Sequence, residues 1–310
     1  MGHHAAMRVT ALSVLLLACS RPAVAPVPAP IEMAITFDDL PAAGPDVPGM
    51  SRLRIHREIL AALRKHGVPQ VYGFVNGKGA EHPDGRAALE AWVAAGYPLG
   101  NHTYSHSTPK ELPGYFADLH RNEPLLRELL PGSEARWKVF RYPELRQGDT
   151  GEAHDAIRAH LAAHGYRIAE VTVDFGDFAW NEPYARCLAR GDQGSIEELK
   201  RSFLQSAQTF LAFDDSFARR LFGRRIPHIL ILHGGAFDAL MLEDLLALYE
   251  SAGVRWISFD DARRDPVYGH DAKVAPTGGD ILQEQVATER RTPMIPWVTM
   301  PLKQLAALCR

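Results

Sequence analysis

Several polar residues of the kinds that do hydrolytic chemistry each stand directly after an apolar run. Asp38 and Asp39 close Met33-Ala34-Ile35-Thr36-Phe37, and His102 and His106 follow Tyr97 to Asn101. Arg141 follows Trp137 to Phe140, Asp174 and Asp177 follow Ile168 to Val173, and His233 follows Ile229 to Leu232. Carboxylates and imidazoles together can bind a divalent ion and move protons. An arginine can hold a carboxylate in a two-pronged fork. A parallel α/β sheet or barrel brings its strand C-termini to one rim, and that rim carries the chemistry. The set therefore points to a hydrolytic metal site.

No single motif suffices, because the chain repeats each one. Adjacent aspartates occur at Asp38-Asp39, Asp214-Asp215 and Asp260-Asp261, and H-x-x-x-H occurs at His102/His106 and His160/His164. Ser258 and Asp261 have the spacing of a helix capping box, which accounts for Asp260-Asp261. Asp38-Asp39 runs into Leu40-Pro41-Ala42-Ala43-Gly44-Pro45, which is no helix start, so a functional role is favoured there. Asp214-Asp215 falls in a helical pattern, where a solvated face is sufficient. His160 and His164 sit in the last turn of a helix closed by Gly165, where the helix dipole favours cations. His102 and His106 follow a strand through Gly100-Asn101, and one helical turn between them would set both imidazoles on one face. A surface pair is the equal alternative. Arg141 and His233 are each ambiguous alone, and Phe178 and Trp180 suit either core or pocket wall. No G-x-S-x-G, G-x-G-x-x-G or Walker pattern is present.

The elements that must position these residues alternate. Strands are expected at Met33–Phe37, Val71–Val75, Pro98–Asn101, Trp137–Arg141, Tyr166–Val173, Ile229–Leu232 and Val254–Ile257. Helices are expected at Arg52–His66, Arg86–Ala95, Gly114–Leu130, Glu152–His164, Ser195–Phe222 and Ala239–Ser251. Strands separated by helices imply parallel βαβ units and a single sheet curled into a barrel. The expected domains are an export segment and Pro/Ala-rich tether at 1–30, a catalytic domain at 31–264 with a helical insertion at about 185–225, and an irregular extension at 265–310.

Arg8, the apolar stretch Val9 to Ala18 and Leu16-Leu17-Ala18-Cys19 read as an export signal with a lipobox, which makes Cys19 a candidate for lipidation. Cleavage after Ala23-Val24-Ala25 is the rival, weakened by Pro26, and Met7 is an alternative start. The expected location is the cell envelope, the periplasm or outside the cell, with the membrane reached only through a lipid anchor. Cys187 and Cys309 are then left, and the sequence alone leaves open whether they pair in an oxidising compartment. A net charge of -3 gives no reason to expect nucleic acid.

Thr36-Phe37-Asp38-Asp39, His102-Thr103-Tyr104-Ser105-His106, Arg141-Tyr142-Pro143, Asp177 and Leu230-Ile231-Leu232-His233 occur in this order. Together they resemble the motifs of the polysaccharide deacetylases, carbohydrate esterase family four, across roughly residues 31–260; Asn76 after Phe74-Val75 also resembles that family. The resemblance implies a distorted (β/α)7 barrel and a divalent metal, most often zinc, held by Asp39, His102 and His106. It implies Asp38 as general base oriented by Arg141, and His233 as general acid paired with Asp177, for which Asp174 is the competing partner. It implies the Tyr142 backbone N–H as an oxyanion donor. The substrate class implied is an acetylated glycan (peptidoglycan, chitin-like or xylan-like), with N- and O-deacetylation both open. A same-fold hydrolase of a non-sugar amide and an inactive carbohydrate-binding protein are the alternatives. Two departures bear on the acetyl pocket: Leu40-Pro41 stands where the family has Gly-Pro, and Phe178 stands where it has tryptophan, with Trp180 two residues on.

Overall fold

The computed structural model describes residues 1–2, 29–273, 279–293 and 298–310. Cys19 and the rest of the export-signal reading lie outside the described residues.

Seven parallel strands form the sheet: β1 (Ile31–Leu40), β2 (Tyr72–Val75), β3 (Leu99–Asn101), β4 (Val139–Phe140), β5 (Arg167–Ile168), β6 (His228–His233) and β7 (Val254–Trp256). Their order is β5-β4-β3-β2-β1-β6, with β7 paired to the start of β1. The central strands are buried on both faces, which is why they read as near-continuous apolar runs. The expected strand Tyr166–Val173 is interrupted. It pairs as β5, leaves the ladder, and rejoins at Val173, which bridges Leu230 of β6. That bridge brings the far edge of the sheet round to β6, so the fold is the distorted (β/α)7 barrel.

Helices pack around the sheet and start at side-chain caps. Ser51 caps Arg52–Lys65, Thr150 caps Gly151–Ala163, and Asp192 caps Gln193–Phe222. The expected helix Gly114–Leu130 is two, Leu112–Arg121 and Glu123–Leu129. Asn122 sits between them, and its side-chain amide donates to Val75 O and Asn101 Oδ1 instead of facing solvent.

Two sequence expectations are corrected here. Asp214 and Asp215 do not lie on a solvated face: both are buried inside the long helix Gln193–Phe222. Asp215 is surrounded by Arg219, Arg225 and His228, which hold its carboxyl low against the upward push of burial. The 265–310 stretch is not wholly irregular, since it contains the helices Leu282–Glu289 and Leu302–Ala307. Leu282, Val286 and Ala287 are buried in an apolar cluster with Ala34 and Ile229 of the sheet.

Cys187 and Cys309 form a disulfide that fastens the chain's end to the helix Asn181–Arg190. The bridge closes a loop of sequence separation 122. Cys187→Ser should therefore lower the unfolding free energy by about 2–4 kcal/mol, measured by denaturant titration without reductant. A midpoint equal to the wild type would mean that the bridge does not form.

Candidate active site

The register of β1 against β6 sets Asp38 directly beside His233 at the strand C-termini. Arg141, at the end of β4, reaches across to the same point. Its Nη1 donates to both Asp38 oxygens at 3.0 and 3.2 Å, its Nη2 to Thr36 Oγ1, and its Nε to Ala169 O. Asp38 and Arg141 are almost fully buried, so each charge is satisfied by the other and by these hydrogen bonds. The guanidinium also lies over the Phe74 ring at 4.7 Å.

Asp39 has a left-handed backbone (φ 60°), uncommon for a residue with a side chain. Its Oδ1 lies 3.4 Å from His102 Nε2 and 3.3 Å from His106 Nε2. That oxygen is buried and has no hydrogen-bond partner. His102 Nδ1–H donates to Arg141 O at 2.8 Å, which leaves its Nε2 lone pair facing Asp39. Metal bonds of about 2.0–2.1 Å at near-tetrahedral angles set two donors roughly 3.3 Å apart. The three residues thus fit a divalent ion, and an orphaned carboxylate oxygen between two imidazole lone pairs has no other evident use. Burial would raise Asp39, but the surrounding imidazoles, His102 nearest among them, hold it well below the usual carboxylate range. Burial lowers His106, which favours the neutral, ligating form.

The expected helical turn between His102 and His106 is not present. Thr103 and His106 both have left-handed backbones, and the segment is a loop. Side-chain amides mould it. Asn76 Nδ2 donates to the carbonyls of His102 and Thr103, Asn101 Oδ1 accepts the Thr103 N–H, and Thr103 Oγ1 accepts the Ser107 N–H.

His233 is paired with Asp177. Asp177 Oδ1 lies 2.8 Å from His233 Nδ1, and its Oδ2 accepts the His233 backbone N–H at 2.6 Å. Burial alone would lower His233, but the Asp177 carboxylate, with Asp39 and Asp38 beyond it, lifts it to about 10. Asp174 does not make this contact. It accepts the Gly176 N–H, and burial raises it to about 6.

A cavity of about 450 Å³ is lined by Asp38, Asp39, His102, His106, Asp174, Phe178 and His233. Phe178 is half exposed, with its ring 5.2 Å from that of His233. Trp180 is not a wall of it: the side chain is fully buried against Phe175 and Phe203 and donates to Ser202 Oγ. The Tyr142 phenol is also buried, packed on Phe140, so only its backbone can face the cavity.

The family model described as polysaccharide deacetylase matches residues 27–169. Over these residues the chain is similar to the polysaccharide deacetylase family. Among solved structures, the fold resembles that of the chitin deacetylase of the fungal pathogen Colletotrichum lindemuthianum. That match has 20% identity and a TM-score of 0.53, covering 76% of this chain and 88% of that one. It also resembles a mutant of a CE4 family pseudoenzyme of Bacillus anthracis with restored enzymatic activity, at 15% identity and TM-score 0.51, covering 76% and 68%. A mutant peptidoglycan deacetylase from Bacillus subtilis matches at 14% and 0.50, covering 76% and 92%. At these identities the likeness is one of fold. No curated protein matches.

Sequence reasoning missed five lining residues of the cavity: Glu144, Leu145, Ile231, Gly279 and Met300. Ile231 was within reach, since it is two residues from His233 on β6 and shares its face. Glu144 and Leu145 directly follow Arg141-Tyr142-Pro143, but their consecutive left-handed backbones have no sequence signal. Met300 reaches the site from the C-terminal stretch and packs where a Cβ on Gly176 (φ 69°) would stand. Asp238 was missed as well. It accepts from Asn181 Nδ2 at 2.7 Å, and burial and the Asp177 charge push its carboxyl up.

Proposed function

We propose that this chain is an exported, metal-dependent hydrolase that removes acetyl groups from an N- or O-acetylated glycan. The observation that carries this reading is the alignment of Asp38, forked by Arg141, with the Asp177-backed His233, beside the converging donors of Asp39, His102 and His106. The neighbours described as chitin and peptidoglycan deacetylases support a glycan substrate. The Cys187–Cys309 bridge supports an oxidising compartment, and with it export through the Cys19 signal.

Asp39, His102 and His106 would hold a divalent ion, most simply Zn2+, which would supply Lewis acidity to the acetyl carbonyl and to water. Asp38 accepts the proton of the attacking water, and the Arg141 fork keeps its carboxylate aimed. The Tyr142 backbone N–H donates to the developing oxyanion. His233 gives its proton to the departing amine or alkoxide, so acetate and a free sugar amine or hydroxyl are the products. Phe178 forms the apolar side of the acetyl pocket next to His233.

His233 must carry its proton to act, and its raised value keeps that proton through neutral pH. Loss of the His233 proton should therefore make activity fall on the alkaline side alone, while protonation of the base Asp38 sets the acid limb. Asp177→Asn removes the carboxylate that raises His233, so the midpoint of that fall should move to lower pH. An unmoved alkaline limb would separate His233 from the proton transfer.

The experiment that tests the function is acetate release from a panel of N-acetylated chitin and peptidoglycan oligomers and O-acetylated xylan, each with the wild type and His233→Ala. His233→Ala should lose most on the sugar amide, whose leaving amine needs a proton, and least on an activated aryl acetate. Equal losses on both would contradict the acid role. Activity on simple amides alone would contradict the glycan substrate.

A further inference from the structure

The second H-x-x-x-H pair reads from sequence as helix-end cations, yet the fold brings a third imidazole to it. His160 and His164 end the helix Gly151–Ala163, and His120 comes from the neighbouring helix Leu112–Arg121. One ring nitrogen from each lies within 4.8 Å of the others. Ring centroids are 5.1 Å apart for His120 and His160, 4.6 Å for His120 and His164, and 4.2 Å for His160 and His164.

The hydrogen bonds define which nitrogens are free. His120 Nδ1 lies 2.9 Å from Glu123 Oε1, so this nitrogen is the N–H and Nε2 holds the lone pair. His164 Nδ1 lies 2.8 Å from the carbonyl of His160, which leaves its Nε2 likewise unprotonated. His160 Nε2 faces His120 Nε2 at 2.9 Å, and its ring is clamped flat on Phe116 at 3.8 Å and 4°. Glu123 is itself positioned, accepting from the Tyr166 hydroxyl at 3.0 Å. A histidine ligand whose other nitrogen is bonded to an anchored carboxylate is the arrangement that fixes tautomer and ring orientation at metal sites.

We propose that His120, His160 and His164 form a second divalent-metal site, separate from the catalytic cavity, that fastens the helix Leu112–Arg121 to the helix Gly151–Ala163. Three neutral imidazoles suit a borderline ion such as Zn2+, which also accepts a water as fourth ligand. The metal displaces the proton by which His160 Nε2 donates to His120 Nε2; that proton moves to His160 Nδ1, which keeps the imidazole neutral, and a slight opening of the pair brings the donors to bonding distance. Glu123 is a positioning residue that acts through His120.

The inference is independent of the catalytic reading, and the test keeps the two apart. The full chain is stripped with chelator, dialysed against Zn2+ and assayed for bound metal as the wild type, His106→Ala, His164→Gln and the His106→Ala/His164→Gln double variant. His3 and His4 are common to all four and cancel in the differences. The expected result is one zinc equivalent lost with His164→Gln on either background. Co2+ loaded into His106→Ala should show visible absorption that vanishes in the double variant. Glu123→Gln should weaken binding there by about 10–100-fold. His164 is exposed at a helix end, so His164→Gln leaves the fold intact, checked by circular dichroism. Unchanged zinc content between His106→Ala and the double variant would overturn the proposal.

Discussion

Asp38→Asn should leave a folded, metal-retaining protein in which acetate release falls by about two to four orders of magnitude. The amide keeps the size of the side chain and one acceptor for the Arg141 fork, but it cannot take a proton. Asp38 and Arg141 are buried together, so some stability is also lost, because the guanidinium then faces a neutral partner. The assay therefore includes thermal unfolding and zinc content alongside turnover. A rate within tenfold of wild type, in protein that is folded and metal-loaded, would remove Asp38 as the base.

His106→Ala acts on the metal instead. His106 is half-buried at the cavity edge, and its side chain is far less enclosed than that of His102. The fold should tolerate its loss. Two donors, Asp39 and His102, remain, and a two-ligand site holds zinc weakly. One equivalent of bound zinc should be lost on dialysis against a competing chelator. Turnover should fall with it and be partly restored by millimolar metal. Retention of that equivalent with full turnover would mean that the ion, if present, is held by other residues.

How much of this was legible in the chain depended on whether the cue was local. The strands announced themselves as apolar runs because both faces of the sheet are covered, and the residue ending each run is the residue at the rim. Asp38, Asp39, Arg141 and His233 were therefore placed by pattern alone. The His102–His106 turn was misread as helical because spacing does not report backbone sign. The left-handed Thr103 is held by side-chain bonds from Asn76 and Asn101, which the H-x-x-x-H spacing does not report. Trp180 suited core or pocket wall equally, and only the packing of Phe175 and Phe203 places it inside. Met300, Gly279 and His120 carried no cue, since their neighbours come from remote segments of the chain. The choice of Asp177 over Asp174 needed the hydrogen bonds to His233.

The measurement that tests the central claim most directly is acetate release from an N-acetylated chitin oligomer by the wild type, by chelator-stripped protein, and by stripped protein given Zn2+ again. The account predicts turnover that disappears on stripping and returns with stoichiometric metal, while His106→Ala stays inactive until the metal is in large excess. Full turnover by the stripped protein, or none from any acetylated glycan with the metal restored, would contradict it.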